Sequence, residues 1–461
     1  MEKMNLDIVI PENVRPAILN VIKKFRRAGF ECYLIGGSVR DLILGNDIYD
    51  YDFATDARPE EIVKLFRKTI PTGIKHGTVS VLVDEWQFEI TTYRSDGRYF
   101  DGRHPESVSF SKNLRVDVDR RDFTINGLAY DPESGELIDY VNGVRDIRDK
   151  IIRTIGDPVM RFTEDGLRPI RACRFASKLN FIIEENTLRA MSETLDVVRN
   201  VSRERIRDEF LKILETEKPS VGIEYLRETG LLELFLPELS ECYNVSQNRY
   251  HIYDVYYRSI YSCDAAPREH PMIRLSALLH DVGKIPTRQP GEDGDFTFYN
   301  HEVIGAKMVK KIMKRLKFSN DQIETVNNLI LNHMFHYTDE WTDGAVRRFI
   351  RKVGLDNIED LFTLRMADRK GNGARKGLPA PIERLKKRID HVIEQENAFS
   401  VRDLNINGTI LMEEFGLTPG PIIGAILNHL LEAVLDNPEL NEKEKLLDLS
   451  REILNRETGR E

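Results

Sequence analysis

Residues 33–55 read YLIGGSVRDLILGNDIYDYDFAT, and the succession of residue types in this stretch decides the fold of the N-terminal part of the chain. Tyr33-Leu34-Ile35 closes an apolar strand, Gly36-Gly37-Ser38 forms a turn, and Val39 to Leu44 follows a helical pattern. A second short strand then carries Asp50 and Asp52. Strand side chains alternate between faces, so aspartates two positions apart point the same way. Two carboxylates on one face, beside a glycine-rich turn with free backbone N–H groups, suit a divalent metal and a triphosphate. Metals held there bridge the attacking and leaving oxygens of an in-line phosphoryl displacement. A GGS turn alone is an ordinary strand–helix connection, and a DxD alone is an ordinary solvated loop. Their succession is what points to chemistry.

The whole chain sets the bounds. Its 461 residues exceed one ordinary core, so about two to four domains are expected. Hydrophobic content of 41% and charged content of 31% fit a soluble globular protein. No run of about 18 apolar residues predicts a membrane span, and MEKMNLDIVIPENV lacks the apolar core of a signal peptide. Cys32, Cys173, Cys242 and Cys263 are far apart and follow no metal spacing, as for reduced thiols in the cytoplasm. A net charge of −9 argues against nonspecific coating of RNA, which depends on counterion release. Arg-rich stretches at 94–121, 161–174 and 203–207 leave room for a local basic groove on an acidic body.

Periodicity predicts a helix over 14–28, strands over 31–35 and 50–54, a helix over 59–67 opened by Pro59, and strands over 79–84 and 86–93. Residues 94–110 read as a long functional loop. A hairpin around Asp131–Gly135 closes a mixed sheet. From 159 to 235 and from 246 to 375 the pattern is helical, and a Lys/Arg/Glu-rich helix covers 380–396. Two last helices join through Gly416-Leu417-Thr418-Pro419-Gly420-Pro421, a turn that offers a phosphate contact. The expected organisation is a head over 1–155, a helical neck and body over 156–245, a histidine-bearing helical domain over 246–378, and a helical tail over 379–461.

Further motifs follow in order. They are Arg120-Arg121-Asp122-Phe123-Thr124-Ile125-Asn126, then Gly156-Asp157-Pro158-Val159-Met160-Arg161-Phe162, then Glu164-Asp165-Gly166-Leu167-Arg168-Pro169-Ile170-Arg171, and last Ser202-Arg203-Glu204-Arg205-Ile206-Arg207-Asp208-Glu209-Phe210. With GGSVRD and DYD they make the chain resemble the bacterial class II tRNA nucleotidyltransferases, the family of CCA-adding enzymes and poly(A) polymerases, with an added HD domain. The resemblance implies an α+β fold: a polymerase-beta-like nucleotidyltransferase head of mixed sheet with helices, followed by an all-α neck and body, a helical HD domain and a helical tail. It implies catalytic Mg²⁺ at Asp50 and Asp52, and triphosphate contacts from Gly36, Gly37, Ser38 and Arg40. Arg121, Asp122 and Asn126 would contact ribose and phosphate. Asp165 and Arg168 would select the base, with Arg171 and Arg174 also at the nucleotide.

On a continuous helix Asp165 and Arg168, three apart, share a face. A carboxylate beside a guanidinium bonds the Watson–Crick edges of both cytosine and adenine, each with an amino donor and a ring-nitrogen acceptor. Pro169 should distort that helix, because it lacks an N–H. Arg205 and Glu209, four apart, read as support for it. Glu89 is either a third carboxylate or a charge on an exposed strand face. The loop at 94–110 resembles the full-length loop that accompanies the switch from C to A addition. The implied substrates are CTP, ATP and the 3′ acceptor end of tRNA, held by the helices of 183–245 and 400–461 through shape and phosphate contacts. No membrane and no obligate protein partner are implied. A poly(A) polymerase, or a partial CC- or A-adding enzyme, stays open within the same class.

His280-Asp281-Val282-Gly283-Lys284 begins a second constellation, with His251 upstream and His301, His333 and Asp368 downstream. The set resembles metal-dependent HD phosphohydrolases. Imidazoles and carboxylates suit Mn, Ni, Fe, Zn or Mg, and six positions would suffice for two ions. A bound metal lowers the pKa of its water for attack on a phosphate ester. An HD phosphohydrolase with a nucleotide- or RNA-binding head is therefore the alternative of a different class.

Overall fold

The computed structural model describes residues 2–5, 8–48, 50–73, 77–96, 108–247, 252–291, 295–373, 380–394 and 400–458. The chain forms two compact units, Met1–Glu241 with Arg315–Lys317, and Cys242–Lys314 with Phe318–Glu461. Among the described residues no helix is long and apolar enough to cross a membrane.

The first unit is built on an eight-stranded mixed sheet. Its strands in chain order are β1 (Glu2–Asn5), β2 (Cys32–Ile35), β3 (Asp52–Thr55), β4 (Thr69–Gly73), β5 (Thr78–Val83), β6 (Trp86–Thr92), β7 (Leu128–Asp131) and β8 (Glu136–Asp139). Across the sheet they run β1-β8-β7-β2-β3-β6-β5-β4. Helix α1 (Arg15–Arg27) buries Ala17, Ile18, Val21, Ile22 and Phe25 along one stripe, the spacing that an amphipathic helix needs to cover a sheet. Each such large side chain is worth about 1.5–3 kcal/mol on burial. Helix α2 (Gly37–Leu44) starts at the second glycine of the GGS turn.

β3 differs from expectation in one respect that matters. It starts at Asp52, and Asp50 lies before it in an exposed connection. The same-face rule for strands therefore does not relate the two aspartates. What β3 does fix is Asp52 against Glu89: the two strands pair in parallel with these residues in register, so both side chains leave one face.

Behind the sheet, α3 (Pro158–Glu164) and α4 (Arg168–Leu179) are separate helices. Asp165 has extended backbone between them, φ −139° and ψ 108°, so it shares no helix face with Arg168. Pro169 sits in the first turn of α4, where its missing N–H has no helical partner to lose, and it starts the helix instead of distorting it. Gly166, between the two helices, packs closely on a neighbour: a Cβ there would lie 2.9 Å from the carbonyl oxygen of Val197. α4 packs against α5 (Arg203–Leu214) and α6 (Pro219–Glu228).

Among the described residues the second unit is helical apart from a two-stranded pair, Gln289–Pro290 with Phe296–Thr297. Its first core joins α7 (Val255–Ala265), α8 (Pro271–Leu279), α10 (Asn320–Asn332), α11 (Asp343–Val353), α12 (Ile358–Gly371) and α13 (Ala380–Glu394). Between α8 and α10 in the chain runs α9 (His301–Arg315). A second core surrounds α14 (Pro421–Asp436), with Leu446 from α15 (Lys443–Thr458). Two glycines set helix spacing by their lack of a side chain. A Cβ on Gly371 would lie 2.3 Å from Ser262 Oγ, and one on Gly283 would lie 2.1 Å from the carbonyl oxygen of His301.

Candidate active site and candidate metal centre

In the first unit the end of β2, the start of α2 and the start of β3 face α4 across a cavity of about 350 Å³. It is lined by Gly36, Gly37, Ser38, Arg40, Asp50, Asp52, Arg121, Asp122, Asn126, Arg171 and Arg174. Every site residue predicted for the head is here. Asp165 and Arg168 are not among the lining residues.

Gly36 takes φ +77°, a conformation that favours glycine. A Cβ on it would stand 3.0 Å from Nη1 of Arg121. The turn thus lets a guanidinium approach the backbone, and the first N–H groups of α2 have no acceptor within their own helix.

The carboxyl of Asp52 is pushed up to about 6. Burial is the main cause; Arg121 opposes it, and the charges of Glu89 and Asp50 reinforce it. Three carboxyl groups brought together at the edge of a low-dielectric cavity repel one another, so this is a site that a divalent cation fits. Glu89, ambiguous in the sequence, belongs to this cluster by register.

Several predicted contact residues are held by neighbours. The buried Arg40 donates to both carboxylate oxygens of Asp41, at 3.0 and 2.8 Å, and to Oδ1 of Asn126 at 2.6 Å. Asn126 in turn donates to Oδ1 of Asp122 at 3.0 Å. Arg171 donates to Oδ2 of Asp122 through Nε and Nη2, at 2.9 and 2.6 Å. Burial alone would raise the Asp122 carboxyl, but Arg171 and Asn126 outweigh it and hold it well below the usual carboxylate range. Arg174 pairs with Glu209 and stands 4.3 Å over the ring of Phe175.

The residues expected to choose the base are arranged differently from the sequence reading. Asp165 accepts from Nη2 of Arg205 at 3.1 and 3.0 Å. Arg168 donates to Glu164 Oε2 at 2.5 Å and to the carbonyl oxygens of Arg161 and Arg120 at 2.8 and 3.1 Å. Arg205, read as support for the helix, is Asp165's actual partner. The sequence did carry a signal for the helix break, because proline favours a first helical turn.

The second unit gathers His280, Asp281, His301, His333 and Asp368. His251 lies outside the described residues, as does the middle of the predicted loop, 97–107. Among the described residues, ligand atoms of Asp281, His301 and His333 all lie within 4.8 Å of one another. Each histidine donates from Nδ1 to a carbonyl: His280 to Ala277 at 2.8 Å, His301 to Phe298 at 2.9 Å and His333 to Ile330 at 2.6 Å. That fixes the tautomers and turns each Nε2 inward, the arrangement of metal-binding imidazoles. Burial pulls His301 down and His333 down to about 3, so both are neutral at physiological pH. Burial also opposes the charge on His280, yet Asp281 and Asp368 prevail and raise it to about 9.

Two cations unforeseen in the sequence complete this centre. Arg258 on α7 reaches Asp281 Oδ2 at 2.8 Å and donates from Nε to Asp368 Oδ1 at 2.9 Å. Lys284 donates to Asp281 Oδ2 at 2.9 Å. A cavity of about 640 Å³ opens beside them, lined in part by Lys284, Tyr299, His301 and Arg365.

A mixed sheet with clustered carboxylates at a cation-rich cleft, followed by helices, defines the nucleotidyltransferase class. Residues 32–153 match the model of the poly A polymerase head domain, 180–243 the "Probable RNA and SrmB- binding site of polymerase A", and 298–449 the second domain of tRNA nucleotidyltransferases. The chain is 32% identical over 445 residues to the CCA-adding enzyme of Ligilactobacillus salivarius, covering 96% of this chain and 98% of that protein. It is 33% identical over 444 residues to that of Streptococcus mutans, covering 94% and 96%. The fold matches the crystal structure of the Bacillus stearothermophilus CCA-adding enzyme in complex with CTP, with a TM-score of 0.74 and 27% identity over 98% of this chain and 100% of that one. The chain belongs to the family of CCA-adding enzymes.

Proposed function

We propose that this chain is a template-independent nucleotidyltransferase that restores the tRNA 3′ end, adding C, C and A from CTP and ATP. The observation that carries this reading is the carboxylate cluster of Asp50, Asp52 and Glu89 beside the Gly36–Ser38 turn, in a chain related over almost its whole length to CCA-adding enzymes. Asp50 and Asp52 would hold Mg²⁺, which when bound supplies positive charge at the attacking and leaving oxygens. The Gly36–Ser38 backbone and Arg121 bind the triphosphate. Arg171, fixed by Asp122, and Asn126, fixed by Arg40, orient the sugar and phosphates. Asp165 takes part in base selection, with Arg205 as the residue that aims it, and Arg168 holds the turn that carries it.

The helices after residue 180 hold the acceptor arm of tRNA. Relatives solved with tRNA, ATP and CTP support these partners. Four buried free thiols accord with a cytoplasmic protein. The histidine centre of the second unit holds a divalent transition metal: the inward-facing Nε2 atoms of His301 and His333 and a buried carboxylate oxygen without a hydrogen-bond partner, Oδ1 of Asp281, fit one.

A product ladder on one tRNA lacking its CCA end tests the main reading. Growth by two with CTP, and by three with CTP and ATP, followed by arrest, is the expected result. An arrest at two with both nucleotides, or an open-ended A ladder, would make the chain a partial or poly(A) enzyme. No growth would leave the histidine centre as the leading activity.

A further inference from the structure

The histidine centre offers enough ligands for two ions, but the side chains divide into halves of opposite character. In the first half, Nε2 of His301 stands 3.3 Å from Nε2 of His333 and 3.5 Å from Oδ1 of Asp281. Both rings spend their Nδ1 proton on a backbone carbonyl, so two lone pairs and a carboxylate oxygen converge. Asp281 Oδ1 is buried and has no hydrogen-bond partner. The spacing is that of a tetrahedral edge, about 3.3–3.4 Å for bonds of about 2.0–2.1 Å.

Among the described residues the second half consists of His280 Nε2, Asp281 Oδ2 and Asp368 Oδ1. Nε2 lies 3.1 Å from the Asp281 oxygen and 3.3 Å from the Asp368 oxygen, close enough to share an ion. A cation is already built in there. The guanidinium of Arg258, buried between α7 and α12, spans both carboxylates, and the ammonium of Lys284 lies on the same Asp281 oxygen. The close approach of the two helices at Gly371 and Ser262 keeps Arg258 alongside Asp368. A divalent ion entering this half would displace the guanidinium from two buried carboxylates and then meet its charge at close range.

We propose that Arg258 takes the place of a second metal, so that the centre holds one divalent ion, on Asp281 Oδ1, His301 Nε2 and His333 Nε2. This rests on reading the centre as a metal site. The ion keeps a position for water or an anion, while Asp281 acts as a bridge between a metal on one oxygen and a guanidinium on the other.

Metal stoichiometry decides it. The full chain carrying Asp50→Asn and Asp52→Asn, which removes ion binding by the head, is stripped with chelator, loaded with Co²⁺ and passed through a desalting column. Cobalt per chain and its visible absorption are then measured. One retained ion per chain is expected, lost in His333→Ala, and rising to two in Arg258→His, which exchanges the guanidinium for an imidazole. Arg258→Gln serves as a second variant, and circular dichroism shows that each is folded. Two ions in the chain with Arg258 intact overturn the proposal, as does one ion in both folded Arg258 variants. If neither variant folds, the count with Arg258 intact and the loss in His333→Ala decide. No retained cobalt, with nucleotide addition intact in the unmutated chain, would instead refute the metal site itself and leave the CCA-adding function standing.

Discussion

Asp165 is held through both carboxylate oxygens by Nη2 of Arg205, forty residues on, and not by Arg168. Two roles that one motif suggests are thereby divided. Arg205 controls where the Asp165 carboxylate points, and Arg168 ties together the backbone that carries it. Arg205→Ala should lower kcat/KM for CTP and ATP by about tenfold to a hundredfold, the worth of a charge-assisted hydrogen bond, and raise misincorporation of UTP. Its melting temperature should fall only modestly, because Asp165 keeps the N–H of Leu167 as a donor. Arg168→Ala should do the reverse first, costing about 2–3 kcal/mol of stability as Glu164 and two carbonyls lose their donor. Thermal melts beside single-nucleotide incorporation assays separate the two. Equal losses of stability in both variants would remove the distinction.

A pH dependence follows from Asp52. Its carboxyl is raised to about 6, chiefly by burial, so below that pH a proton competes with Mg²⁺ for the same oxygens. The Mg²⁺ concentration giving half-maximal addition should fall as pH rises from about 5 to about 7, and excess Mg²⁺ should move the acid limb of activity downward. For stability the sign is opposite. An acid raised on folding makes the native state bind the extra proton, so its contribution is present at low pH and is lost as pH rises through about 6. Without metal, Asp52→Asn should therefore be more stable than the parent at pH 7 by about 1–2 kcal/mol, while adding no nucleotide. Urea titrations at pH 5 and pH 7 in chelator test this. A variant that is less stable at both pH values would contradict it.

Gly36 is coupled to the same carboxyl. Gly36→Ala forces an L-residue to φ +77° and drives a methyl against Arg121, at a cost of about 1–3 kcal/mol. Arg121 is the charge that opposes the rise of the Asp52 carboxyl, so its retreat should lift that group further. The acid limb should then shift to higher pH in the variant, a shift that simple loss of fold does not produce. A pH–rate profile of Gly36→Ala at fixed Mg²⁺ is the measurement.

What the sequence made legible was the local part. The order of strand, turn and helix in 33–44 and the hairpin after 127 follow from periodicity and turn residues, and they fold as such. Asp50 escaped because a short strand pairs only where a neighbour reaches it: Glu89 stands opposite Asp52, and the strand pairing starts there. Asp165 and Arg168 were misjudged because a helix was carried across Gly166, whose need for space comes from Val197, thirty-one residues away. Arg258 belongs to no motif. Only the packing of α7 on α12 reveals it, since a buried arginine in a helix reads locally like any surface charge. Its significance rests on two partners distant in the chain, Asp281 and Asp368.

The pair Asp122–Arg171 tests how far the site and the fold can be separated. Asp122 is almost fully buried and accepts from Arg171 and Asn126. Arg171→Ala leaves that carboxylate without its cation, which costs about 3–5 kcal/mol for a buried pair. Because the Asp122 carboxyl lies below its usual range, its contribution is present above the unfolded value near 4 and is lost as pH falls further. Arg171→Ala should accordingly be destabilised most at neutral pH and least at about pH 3. Combining it with Asp122→Asn removes the stranded charge, so the double variant should recover much of the stability, with a coupling of about 1–3 kcal/mol. Activity should not return if Arg171 binds the nucleotide as proposed, since the cavity has lost one of its lining cations. If stability and activity recovered together, Arg171 would be a structural partner of Asp122 and nothing more. A double-mutant cycle by urea denaturation, run beside incorporation kinetics on the same four proteins, distinguishes the two.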